Sequence, residues 1–326
     1  MQPKPPSWLR LHPADPDWQT NAPNCDFEQE EECAMNIRRT AMLMAVAVMG
    51  VLSVVPPATA ATPSTFGALV PSTFTQEYAS GRIPLTGDVS VPVSCPAGKA
   101  AVSVGGLAEG LYSITPGPNY DGGVVSAHAV NGNTGQSIVA NATCAPTEQF
   151  AGTTVGTREQ HAHSTTGEWT ATKTCPAGMR AFGGGGYFRT RNGAVSADQF
   201  FLSASTPTLD GRGWTVSALN NTFTDTLVVT TRCAFQSTST RLVEEIYPVV
   251  PERPGAVGRA QGYAHCPAGF LPISGGAHFT QDGSASAAHA QLSVSTPVDN
   301  GQIGWFANGT SGGEHAQLHV LALCGS

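Results

Sequence analysis

Cys175-Pro176-Ala177-Gly178, leading into Met179-Arg180-Ala181-Phe182 and the run Gly183 to Gly186, is the stretch on which the fold reading turns. Its opening recurs as Cys95-Pro96-Ala97-Gly98 and as Cys266-Pro267-Ala268-Gly269, and each copy carries the same succession of features. A Gly pair stands a strand's length beyond each opening, at Gly105-Gly106, within the run itself, and at Gly275-Gly276. A strand-like piece then ends in Thr-Pro, at Thr115-Pro116, Thr206-Pro207 and Thr296-Pro297. Next comes a turn pair, Asp121-Gly122, Asp210-Gly211 or Asp299-Asn300, and each copy closes on a lone cysteine, Cys144, Cys233 or Cys324. Copies two and three both run 58 residues from first to last cysteine, with Trp214 and Trp305 each 39 residues in. The chain from residue 61 onward therefore divides into three units of about 89 residues.

Working outward, the residues before the first unit have the order of a secretory signal. Asn36 to Arg39 is short and basic, Ala41 to Val55 is apolar or small, and Ala58-Thr59-Ala60 is a small-x-small step, so cleavage is expected between Ala60 and Ala61. The apolar run falls short of the roughly 20 residues a bilayer-spanning helix needs, so no membrane span is expected in the mature chain. Residues 1–34 show no periodicity and read as an upstream extension. The expected organisation is thus extension 1–34, signal peptide 35–60, and β repeats at 61–148, 149–237 and 238–326.

Export removes Cys25 and Cys33 and leaves six cysteines, an even number that points to three disulfides. The repeat pairs Cys95 with Cys144, Cys175 with Cys233, and Cys266 with Cys324. Zinc ligation by these cysteines would need a close Cys-x-x-Cys spacing, which the repeat lacks. Of 326 residues only 12% are charged, 37 are Gly and 24 are Pro, while 40% are hydrophobic. That mixture favours an all-β, turn-dense protein, and 16 basic against 23 acidic side chains argue against a nucleic-acid partner.

In the second unit, Arg180 to Phe182, Phe201 to Ser205, Trp214 to Leu219 and Leu227 to Cys233 read as short half-buried strands. Each unit then holds five or six antiparallel strands. Pro second and Gly fourth in Cys-Pro-Ala-Gly suit a type I turn over those four residues. The Gly pairs lie inside strand patterns with no succeeding helix or Lys-Ser/Thr, so close backbone approach, not phosphate binding, is their expected role.

Tyr263-Ala264-His265-Cys266 and Gly309-Thr310-Ser311-Gly312-Gly313 resemble the His and Ser signatures of trypsin-like proteases. Only 46 residues separate His265 from Ser311, too few for the two barrels that present such a triad, and Cys266 belongs to the repeat. His161 with His163, and His315 with His319, have the spacing of same-face strand positions, with solvent-facing histidines expected and no metal site. Asp210, Asp225, Asp282, Asp299 and Glu314 fall at turns, where Asp serves the backbone, and they nominate no catalytic carboxylate pair. Trp214 and Trp305 match across copies, with Val124 or Val125 near that place in copy one. Core packing is the first expectation for them, and stacking on sugar rings the second if their faces are exposed.

The repeated Cys-Pro-Ala-Gly, Gly-Gly, Cys unit resembles uncharacterised secreted proteins of actinobacteria across residues 61–326. A looser likeness, in repeat number, paired cysteines and Cys-Pro-x-Gly, is to the vitelline membrane outer layer proteins, whose three repeats form a β-prism. Two architectures are open: three sheets around a pseudo-threefold axis sharing one core, or three disulfide-closed β-sandwiches in tandem. The structured links between units favour separate sandwiches or strands exchanged between units.

For function the expectation is a secreted, non-catalytic binding or surface protein with no cofactor. Cell-wall or environmental polysaccharide is the partner class, and Trp214 and Trp305 are the binding candidates. The alternatives are an extracellular hydrolase with a loop-built site in the His-rich third repeat, and a purely structural coat protein. Ligand and oligomeric state stay open.

Overall fold

Burial alternates along Gly258–His265, which reads buried, exposed, buried, exposed along most of its length. Lys99–Leu107, Met179–Arg189 and Thr226–Phe235 are instead buried on both faces for most of theirs, so the stretch Leu227 to Cys233, expected to be half-buried, is a fully buried strand. The structure, a computed structural model, describes residues 70–83, 88–108, 111–116, 122–128, 137–150, 154–161, 167–190, 201–220, 226–235, 239–251, 253, 256–282, 290–298, 303–313 and 315–326. The expected extension, signal peptide and cleavage point at Ala60-Ala61 lie outside these residues. Regular structure among the described residues is all strand apart from two 3-10 turns, Pro71–Thr73 and Thr147–Phe150. No helix among them is long and apolar enough to cross a membrane.

The first repeat supplies β1 (Thr75–Arg82), β2 (Asp88–Ser94), β3 (Lys99–Leu107), β4 (Leu111–Pro116), β5 (Gly122–His128) and β6 (Ser137–Pro146). From the second come β7 (Thr154–His161), β8 (Gly167–Thr174), β9 (Met179–Arg189), β10 (Phe201–Pro207), β11 (Gly213–Asn220) and β12 (Thr226–Phe235). The third gives β13 (Thr240–Pro248), the two-residue β14 (Val250–Pro251), β15 (Gly258–His265), β16 (Leu271–Gln281), β17 (Gln291–Val298), β18 (Gly304–Ser311) and β19 (Ala316–Gly325).

Three antiparallel sheets result, in the orders β1-β6-β3-β17-β18-β15-β14, β13-β19-β16-β10-β11-β8 and β2-β5-β4-β9-β12-β7. Each repeat splits its strands into two triplets that pack face to face, β1-β6-β3 against β2-β5-β4 in the first, with the two-residue β14 added to the edge of one triplet in the third. Each triplet then continues into a triplet of another repeat, through Ser295 beside Gly106, Ile114 beside Gly186, and Ser205 beside Ala277. Small sandwiches exist locally, but none is separate. All three sheets are shared pairwise around a pseudo-threefold axis.

That axis is built by β-bulges. Pairing of β3, β9 and β16 with the last strand of their repeats skips one residue, which is Val102, Phe182 or Ile273. A bulged residue is re-aimed out of the regular alternation. These three meet Ala145 and Leu323 in one buried cluster drawn from all three repeats. A larger core mixes the first and second repeats, including Leu111, Ile138, Phe188 and Leu227. Arg232 of β12, wholly buried, adds a polar tie by donating to the carbonyls of Ala101 and Gly122 in the first repeat.

The disulfides join Cys95 to Cys144, Cys175 to Cys233 and Cys266 to Cys324, with Cα atoms 5.7, 5.7 and 5.6 Å apart. The turn beside each differs from the expected type I turn by one residue. Lys99, Met179 and Phe270 donate their amides to the carbonyls of Pro96, Pro176 and Pro267. Pro is therefore first and Gly third, and Gly98, Gly178 and Gly269 have φ of 80°, 81° and 82°. Positive φ at the third position is the type II pattern, which glycine alone enters without strain.

Candidate functional site

Trp214 and Trp305 occupy matching places, each opposite the Pro of the preceding strand, Pro207 or Pro297. They are 2% and 1% exposed. Each indole N–H donates to a buried serine, Ser205 at 3.1 Å and Ser295 at 3.0 Å. Their faces cover Gly184 and Gly275, where a Cβ would come within 2.3 and 2.4 Å of the indole. The assignment of Trp214 and Trp305 as binding residues is therefore corrected: with faces against backbone and N–H groups satisfied, neither ring can stack on a sugar. The counterpart in the first repeat is Gly123, opposite Pro116, and not Val124 or Val125.

The other nominated residues separate in space. His265 pairs with Gly304 and Ser311 with Gly258, at opposite ends of β15 and β18. Seven strand positions put them roughly 24 Å apart, so they form no relay. Asp210 is a turn residue, accepting from the Thr208 hydroxyl at 2.6 Å and the Arg212 amide at 2.9 Å. Those bonds, the Thr208 one foremost, hold its carboxyl below the usual Asp value. Asp282 is exposed at a φ of 50°. Asp225, Asp299, Glu314, His163 and the side chain of His161 lie outside the described residues. His315 sits before β19 at a φ of 57° and does not share a strand face with His319.

Two constellations that sequence spacing does not nominate lie on the outer sheet faces, away from the sandwich interiors. The first is aromatic. Ala260 and Ala264 of β15 point into the core, so Gln261, Tyr263 and His265 point outward. Tyr263 lies across from Phe306 with ring centroids 4.6 Å apart, and stacks on His265 at 5.8 Å with planes 12° apart. The Tyr247 hydroxyl anchors this segment, donating to the Tyr263 carbonyl at 2.8 Å and accepting its amide at 3.1 Å. Gln261 pairs with Asn308 on the same face. At the His265 end opens a recess of about 410 Å³, lined by His265, Phe270, Ile303 and the Cys266–Gly269 turn.

The second constellation is acidic and imidazole. Val243 and Tyr247 of β13 turn inward, leaving Glu244 on the outer face. His319 of β19 and His278 of β16 are cross-strand partners, their rings stacked at 4.6 Å. His319 Nδ1 stands 2.8 Å from Glu244 Oε1, and His319 Nε2 stands 2.9 Å from the hydroxyl of Thr280. A carboxylate accepts, so Nδ1 donates to it, while Nε2 and the Thr280 hydroxyl are in hydrogen-bond contact with the direction set by the ring's tautomer. Burial first, and then the neighbouring His319, push His278 down to about 4, so its ring is neutral at pH 7. Its Nδ1 is buried and has no hydrogen-bond partner. A ligand atom from each of Glu244, His278 and His319 lies within 4.8 Å of the others, a geometry able to hold a cation.

Against these two sites stand comparisons with known proteins: no family model matches the chain, and no curated protein matches it.

Proposed function

We propose that the protein is an exported, non-catalytic binding or surface protein that takes polysaccharide on the outer face of β15 and β18. The observation that carries this reading is the Phe306–Tyr263–His265 stack, flanked by Gln261 and Asn308 and leading into the recess at the Cys266–Gly269 turn. Aromatic faces beside amide groups suit a sugar, whose C–H faces stack while its hydroxyls hydrogen-bond. Three disulfides fit an oxidising compartment outside the cytoplasm.

The test is retention of the oxidised protein on insoluble chitin, cellulose and peptidoglycan. Saturable retention on one of them, weakened about tenfold in Phe306→Ala with an unchanged circular dichroism spectrum, supports the reading; a tenfold loss corresponds to about 1.4 kcal/mol. Absence of retention on all three, or retention equal in the variant, overturns it.

A second reading, an extracellular hydrolase, draws on the Glu244–His319–Thr280 chain in the third repeat, which has the order of an acid–imidazole–hydroxyl relay. Thr280 is buried, which withholds its hydroxyl from a substrate and makes this the weaker reading. Hydrolysis of any of the same polysaccharides that disappears in His319→Gln would reinstate it.

A further inference from the structure

We propose that Glu244, His278 and His319 form a binding site for a divalent transition-metal ion, zinc or copper(II), on the outer face of the β13-β19-β16 triplet. The site goes beyond polysaccharide binding and rests on different residues. Its ligands come from three neighbouring strands of one sheet, where the ladder fixes backbone positions more tightly than loops would. Their ligand atoms lie within 4.8 Å of one another. Metal–ligand bonds of about 2.0–2.1 Å in a tetrahedral site place ligand atoms roughly 3.4 Å apart, so modest side-chain rotation closes the set.

The unpartnered Nδ1 of His278 points to an occupant. A buried imidazole nitrogen without a hydrogen bond is costly, and a metal ion supplies the missing partner. Thr280 is already in place as the outer support. In the metal-free state His319 donates from Nδ1 to Glu244. When the ion takes Nδ1, the ring proton resides on Nε2 and is donated to the Thr280 hydroxyl, which accepts as readily as it donates. A ligating histidine whose other nitrogen is held by a fixed partner is the usual arrangement.

Donor chemistry sets the class of ion. Two imidazoles and one carboxylate suit zinc and copper(II), whereas magnesium and calcium require oxygen ligands. Three protein ligands leave a position for water or an outside group.

The experiment is calorimetric titration of the oxidised full-length chain with zinc, copper(II) and magnesium, repeated on Glu244→Gln and His278→Gln. One equivalent of zinc or copper(II) is expected to bind, at least tenfold more weakly in each variant, with no magnesium binding. Failure of both transition ions to bind, or equal binding by folded variants, overturns the proposal. As a measurement that needs no variant, substoichiometric copper(II) is expected to broaden the imidazole resonances of His278 and His319 first. Selective broadening of other histidines instead overturns it.

Discussion

Gly275 and Trp305, like Gly184 and Trp214, are two halves of one packing choice, and the first repeat makes the opposite choice. There Val104 stands where Gly184 and Gly275 stand in β9 and β16, and Gly123 takes the place of the tryptophan. Filling either glycine without trimming its indole forces an overlap, since a Cβ on Gly275 would also meet the Leu321 carbonyl at 2.4 Å. Gly275→Ala is expected to destabilise the protein by about 1–3 kcal/mol, and Trp305→Ala by about 3–5 kcal/mol, read from denaturant midpoints. A loss under about 0.5 kcal/mol in both would show that the indole is not seated as described. Asp210 makes a separate prediction with a definite sign. Its carboxyl is depressed in the folded protein, so its contribution is present above the unfolded value and lost as pH falls through the folded one. In Thr208→Val the Asp210 side chain should titrate at higher pH by NMR; an unchanged titration curve would remove Thr208 as the main cause.

Strands, turns and bridges are the most legible level, because each is specified by residues close in sequence. The three cysteine pairings can be read from the repeat, whose copies carry one opening and one closing cysteine. Removing one bridge, as in the double variant Cys175→Ser with Cys233→Ser, opens a loop of 58 residues. The chain-entropy model puts that loss at about 4 kcal/mol, measured as a lowered unfolding midpoint. A change under about 1 kcal/mol would mean that the small cluster of Met179 and Ala181 around the bridge holds that end unaided. The turn type is ambiguous in sequence because Pro fits the second position of a type I turn as well as the first of this one; only the positive φ of Gly98, Gly178 and Gly269 separates them. Glu244, His278 and His319 escape sequence reading for a related reason. Histidine spacing along one strand, the signal in His315 and His319, says nothing about which residue a neighbouring strand brings alongside. Aligning His278 with Leu107 and Tyr187, its counterparts in the other repeats, and pairing β16 against β19 would bring His278 to His319.

At the scale of the whole molecule, the choice between sandwiches and shared sheets is a question of cooperativity. Local patterning dictates a two-layer unit, and each repeat forms one. What it does not dictate is which foreign strand extends β3, β9 or β16, because that pairing joins residues as far apart as Gly106 and Ser295. The bulges settle it by turning Val102, Phe182 and Ile273 toward one axial cluster, where each repeat buries apolar surface against the other two. A repeat taken alone would expose that surface together with an unpaired sheet edge. Unfolding should therefore be a single calorimetric transition, with a van 't Hoff enthalpy close to the calorimetric one. Ile273→Ala makes the sharper test. Truncating this fully buried side chain is expected to cost about 2–5 kcal/mol, which lowers the midpoint of a domain this size by roughly 5–15 °C. If the repeats are bound through their axis, the whole transition moves down as one. If they are independent sandwiches, about a third of the unfolding enthalpy separates to lower temperature while the remainder stays, and the shared-sheet account of this molecule fails.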